Sequence, residues 1–130
     1  DRVLIFRSMH GLNMGNAADD VLKAARMMLK DDGMVGVVQH RAPADETDAR
    51  ASGDRGYMRE ADVIAAFERN GFELAESSEI NANPADTADY ENGVWMLPPS
   101  NGGDSEGEDV APLQSVGESD RMTLRFVKPE

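Results

Sequence analysis

The residues able to do chemistry in this sequence fall into two short sets, each at the end of an apolar run. Residues 3–6, "VLIF", are followed at once by Arg7, Ser8, Met9 and His10, and residues 34–38, "MVGVV", by Gln39, His40 and Arg41. An imidazole titrates near neutral pH and can move a proton at a nucleophile. A cationic pair such as His40 and Arg41 can meet a carboxylate or a phenolate. Each has a plainer use: His10 can cap backbone groups in a strand-to-helix loop, and Arg41 can pair with Asp45 or Glu46. Two histidines at adjacent strand ends raise the idea of a shared metal. The chain has only those two and no Cys, so a third ligand has no evident source and no metal is assigned. Tyr57 and Arg59 precede a helical segment, with Arg59 either a substrate contact or an ordinary ion-pair donor. Trp95, the sole Trp, is followed by "MLPP" in a loop. It reads either as part of a lid on substrate or as an anchor of the loop on the core.

The elements that must position these residues alternate. An apolar run that surfaces at polar residues is how a strand buried on both faces looks at its carboxyl end. "NAADDVLKAARMMLKDDG" is a helix, with Ala18, Val21, Leu22, Ala25, Met28 and Leu29 on one face, Asn16 as N-cap, acids in the first turn, Gly33 as a left-handed stop and the Met pair at 27 and 28 as packing. The second apolar run completes a strand, helix, strand crossover. Residues 41–58 read as a loop. "READVIAAFERNGFEL" is a second helix with Val63, Ile64 and Phe67 inward, "NG" closing it and Phe72 in contact beyond the stop. Residues 72–80 suggest a third, less buried strand. An excursion over 81–119 carries a charged, solvated tip at 101–109. "RMTLRFVKP" alternates as a last strand. Two strands joined without a helix favour antiparallel pairing, so that last strand is expected to be reversed.

Composition sets the outer limits. With 130 residues, 40% of them hydrophobic, one modest core is expected. A formal net charge of −12 disfavours nucleic acid, whose binding draws on clustered Lys and Arg. No run is long enough for a membrane span and no leader is visible, so a soluble cytoplasmic protein is the default expectation.

Five runs, taken in order, resemble the carboxyl-terminal half of a family of bacterial class I S-adenosylmethionine-dependent methyltransferases: "LKDDGMVGVVQHRA", "YMREADVIAAFERNGFEL", "NPAD" at 83–86, "GVWMLPPS" at 93–100 and "GESDRMTLRFVKP". The resemblance implies a partial α/β, Rossmann-like, mostly parallel sheet closed by one antiparallel strand, with 1–130 a portion of a single domain. It implies that the first apolar run is an interior strand whose neighbours are missing, leaving an exposed edge able to pair with a second copy. It implies S-adenosylmethionine as cofactor and a small-molecule acceptor, with Arg7, Ser8 and Met9 facing the cofactor and His10 catalytic. His40, Arg41, Tyr57, Arg59 and Trp95 fall on the substrate side. The family's His-Arg before the second helix is Met58-Arg59 here, so a role for that His does not carry over. No glycine-rich loop follows a strand, so the fragment is expected to be inactive alone. Half of an NAD(P)-dependent oxidoreductase and a non-catalytic acidic interaction module are the alternatives.

Overall fold

The computed structural model describes residues 1–100, 113 and 115–129. The chain forms a mixed α/β unit on an open five-stranded sheet. In chain order the elements are β1 (Arg2–Phe6), α1 (Met9–Met14), α2 (Ala18–Met28), β2 (Met34–Ala42), the two-residue β3 (Met58–Arg59), α3 (Glu60–Arg69), β4 (Glu73–Ser78), a 3-10 turn (Gly93–Met96) and β5 (Arg121–Val127). The order across the sheet is β1-β2-β5-β4, with β3 extending it beside the end of β2. β1 runs parallel to β2, with Arg2 opposite Met34 and Phe6 opposite Val38. The last strand is reversed and lies inside the sheet, antiparallel to β2 on one side and β4 on the other. Taken together the antiparallel ladders pair more residues than the parallel ones. The expectation of a mostly parallel sheet is corrected to that extent. The tip expected at 101–109 lies outside the described residues.

Strand alternation decides the core. Val35, Val37, Met122, Leu124 and Phe126 face the same way as Ile5 and meet Leu22, Ala25 and Leu29 around α2 and Val63, Ala66 and Phe67 of α3. Phe67 stacks on Phe126 at 3.9 Å and meets Phe72 edge-on at 5.5 Å. The Phe72 N–H donates to the Phe67 carbonyl and the Gly71 N–H to that of Glu68, with Gly71 at φ +85°. The helix therefore ends in the glycine stop that "NGF" foretells.

Both long helices share this one core, which leaves the opposite sheet face uncovered by any described element. Leu4 and Phe6 are consequently exposed, and β1 is not buried on both faces as its composition suggests. The helix face also differs from the expectation. Ala18, Leu22, Ala25 and Leu29 turn inward, which carries Met27 and Met28 to the solvent side, so that pair is not packing. Ala17, not Asn16, precedes α2, and Gly33 is not left-handed. A Cβ on Gly33 would come within 2.9 Å of the Leu29 side chain, so close packing explains the glycine.

Candidate functional site

A cavity of about 280 Å³ opens at the carboxyl ends of β1 and β2, where open α/β sheets commonly receive ligands. Phe6 and Arg7 line it from β1, His10 from α1, His40 from β2 and Arg121 from β5, with Trp95 and the prolines that follow forming the opposite wall. β2 runs four residues past Val38 because β5 pairs with it as far as His40, opposite Arg121, and β3 pairs with Arg41 and Ala42. His40 therefore sits within the strand, buried, not in an exit loop.

Arg7 leaves β1 at φ +53°, a left-handed conformation that non-glycine residues seldom adopt. Its N–H donates to Val38 O at 2.6 Å, which fixes the turn. Its guanidinium has no hydrogen-bond or ion-pair partner among the described residues. His10 is oriented by the fully buried Gln39. The Gln39 amide oxygen accepts the His10 backbone N–H at 3.2 Å, and the same amide lies 3.3 Å from ring Nδ1. Gln39 Nε2 also donates to Gly56 O at 2.8 Å, so the amide is held from both ends. The ring of His10 lies 5.7 Å from that of His40 and 6.0 Å from Trp95, edge-on to the indole.

His40 Nδ1 lies 2.6 Å from Ser119 Oγ, which accepts the Arg121 Nε–H at 3.1 Å. Burial, reinforced by the charge of Arg121 and by His10 and Arg7, pushes the His40 pKa down to about 3. His40 is therefore neutral at physiological pH. It serves as a hydrogen-bonding wall, not as the cation expected of it.

Its neighbour does not share the cavity, because successive strand residues point to opposite faces. Arg41 holds Asp120 with two bonds, at 3.0 and 2.9 Å, and Glu79 with two more, at 3.1 and 2.7 Å, with Glu60 at 3.4 Å. These acids, Asp120 first, raise the pKa of Arg41, and Arg41 in turn holds Glu79 below the ordinary carboxylate range. Asp45 and Glu46 are not its partners. Glu46 pairs with Arg50.

The other expected site residues are dispersed. Ser8 is exposed and donates to Phe6 O at 2.9 Å, while Met9 is wholly inside the core, so of the three residues expected to face a cofactor only Arg7 reaches the cavity. Tyr57 lies behind His40, ring centroids 6.2 Å apart, and donates its buried hydroxyl to Asp86. Burial and the Asp86 charge push the phenol pKa upward. Arg59 pairs with Asp62 at 2.8 Å and with Asp48, and lines a separate depression with Met9 and Asn13. It is an ion-pair donor at the start of α3.

The Trp95 loop is anchored on the core by the residues beside Trp95 and not by its indole. Val94, Met96 and Leu97 are buried while Trp95 is half-exposed over the cavity. The loop is fastened where the Val94 N–H donates to Arg55 O at 2.9 Å and Arg55 donates back to the carbonyls of Tyr90 and Glu91. Gly93, at φ +78°, has no room for a Cβ, which would stand 2.5 Å from Arg55 O.

Sequence reasoning misses Gln39, Ser119 and Arg121 as site residues. One signal points to the last two: a reversed β5 must begin beside the end of β2. Among the described residues no group of three His, Asp or Glu is placed to hold a metal ion, and no helix is long and apolar enough to cross a membrane. No Asp or Glu among the described residues lines the cavity, although the chain has 25 of them. Chemically the site is a small recess with two guanidiniums, an oriented imidazole and an aromatic wall. No protein-family model matches the sequence, and no curated protein matches it.

Proposed function

We propose that this chain is the substrate-side portion of a class I S-adenosylmethionine-dependent methyltransferase acting on a small molecule. The observation that carries the reading is the order β1-β2-β5-β4, with a parallel crossover pair followed by a last strand reversed against the sheet. The resemblance of the five sequence runs implies the parallel crossover pair and the reversed last strand. A cavity at the carboxyl ends of the parallel pair is where such a sheet would receive substrate.

The cavity fits the cofactor poorly. Arg7 suits the carboxylate of its methionine part, but no acid among the described residues stands there for the ribose hydroxyls, the ammonium or the sulfonium. Residues outside this chain would have to hold it, and no step is routed through it. This chain's own contribution is to position the acceptor. The Trp95 wall shields it from water, and alignment by fixed groups supplies much of what such a displacement requires. With Nδ1–H donating to the Gln39 amide oxygen at 3.4 Å, Nε2 is the ring atom left to take a proton from an acceptor oxygen or nitrogen.

The coding sequence upstream of Asp1 tests this directly. An apolar run followed by a glycine-rich turn is expected there, and the longer protein should gain thermal stability from S-adenosylhomocysteine. A gain from NADH instead, or an upstream frame without such a turn, refutes it.

A further inference from the structure

We propose that the cavity between Arg7, Arg121 and Trp95 binds the carboxylate of a small aromatic acid. The inference rests on the methyl-transfer reading only in naming that acid as the acceptor substrate. The recess itself makes the case.

Three observations converge. First, the local charge opposes the global charge: a chain of net −12 gathers two arginines around one recess and places no described acid in its wall. Second, Arg7 is held back from the ion-pairing that occupies its peers. Arg41, Arg50, Arg59, Arg69, Arg121 and Arg125 each contact a carboxylate, and Arg2, Arg26 and Arg55 donate to backbone carbonyls. Arg7 alone among the arginines has a guanidinium without a partner among the described residues, and it stands on a left-handed backbone at the cavity rim. Non-glycine residues held in such a conformation are over-represented at ligand sites. Arg121 complements it. Its Nε is taken by Ser119 and one terminal nitrogen meets the exposed Glu118 at 3.2 Å, while the guanidinium is largely buried at the cavity wall.

Third, the aromatic character of the ligand follows from the two exposed rings. Phe6 is 53% and Trp95 43% exposed, the only large aromatic side chains among the described residues left that open, and both line this recess. Aromatic surface left wet around a polar centre is the usual make-up of a small-ligand site. The cavity of about 280 Å³ has room for a single ring bearing a carboxylate.

Trp95, the only Trp, supplies the readout. Benzoate, benzamide and cyclohexanecarboxylate are titrated into the 130-residue chain at constant ionic strength while Trp95 emission is followed, with calorimetry as a second measure. Benzoate is expected to quench saturably, benzamide and cyclohexanecarboxylate to bind at least 10-fold more weakly. Arg7→Gln should weaken benzoate at least 5-fold with an unchanged circular dichroism spectrum. Arg7 is exposed and unpartnered among the described residues, so this variant keeps its fold where Arg121→Gln would be ambiguous. Equal binding of benzamide, equal binding by the Arg7 variant, or displacement of benzoate by equimolar phosphate overturns the proposal. Benzoate binding in a protein whose full-length form ignores S-adenosylhomocysteine would leave this site standing and remove the methyl-transfer reading. The reverse pattern would remove this site alone.

Discussion

Acid should destabilise this protein through His40 in particular. Its imidazole is neutral in the folded chain, with a pKa of about 3 against an ordinary 6.5. A lower proton affinity in the folded state means that the unfolded chain binds the extra proton between those values, so stability rises with pH across that window. The contribution is fully present above pH 6.5 and is lost as pH falls toward about 3. Between pH 7.5 and 4.5 the loss from this one group works out at about 2–3 kcal/mol, since each tenfold difference in proton affinity between the two states is worth about 1.36 kcal/mol. Burial is the main cause, and the charges that add to it sit on three segments: Arg121 on β5, His10 on α1 and Arg7 on the turn after β1. His40→Asn keeps a polar atom near the Nδ1 position facing Ser119 and cannot titrate. Urea unfolding of both proteins at half-unit intervals should show the wild type losing about 2–3 kcal/mol more than the variant over that range, since the carboxylates contribute equally to both. Two profiles that run parallel within about 0.5 kcal/mol, which is near the additivity limit for independent sites, would refute the reasoning.

Other outcomes follow from geometry. Arg41→Met leaves Asp120 and Glu79 without their shared guanidinium and should cost about 2–4 kcal/mol in chemical denaturation, more than Arg59→Met at its exposed ion pairs. Phe67→Ala removes the ring stacked on Phe126 and should cost about 3–5 kcal/mol by the same assay. Gly56→Ala places a Cβ 2.3 Å from Val94 Cγ1 at φ +84°. It should loosen the loop, shift Trp95 emission to the red and lower the melting temperature. The free edge of β1, with Leu4 and Phe6 exposed beside it, should drive self-association in light scattering, and Leu4→Lys should suppress it.

How much of this is legible in the sequence depends on how far apart the deciding residues lie. α3 and its stop are local: apolar spacing, Asn70, Gly71 and Phe72 suffice, and all are found in place. The alternation of β5 and the crossover joining β1 to β2 are local in the same sense. The apolar pattern ends β2 at Val38, because what prolongs the strand is pairing with distant residues, Met122 and Arg121 about 80 positions downstream as far as His40 and then Met58 and Arg59 as far as Ala42. That extension puts His40 in the cavity wall and sends Arg41 to the other face, a distinction set by strand parity and invisible as long as both read as loop residues. The same distance hides Ser119 and Arg121. Of the run Arg7, Ser8, Met9 and His10, the positive φ at Arg7 and the start of α1 send Met9 into the core and His10 to the cavity, and no pattern in four residues foretells that divergence.

The place of β5 inside the sheet has a consequence for how the molecule is made. Arg121 to Val127 emerge from the ribosome after β1, β2 and β4, yet β2 and β4 are joined in the sheet through them. Until those seven residues arrive, the earlier strands have a gap where the central rung of the ladder belongs, and the hydrophobic wall of Met122, Leu124 and Phe126 is absent. Removing Arg121 to Val127 would therefore split the sheet in two, whereas the loss of an outer strand would only narrow it.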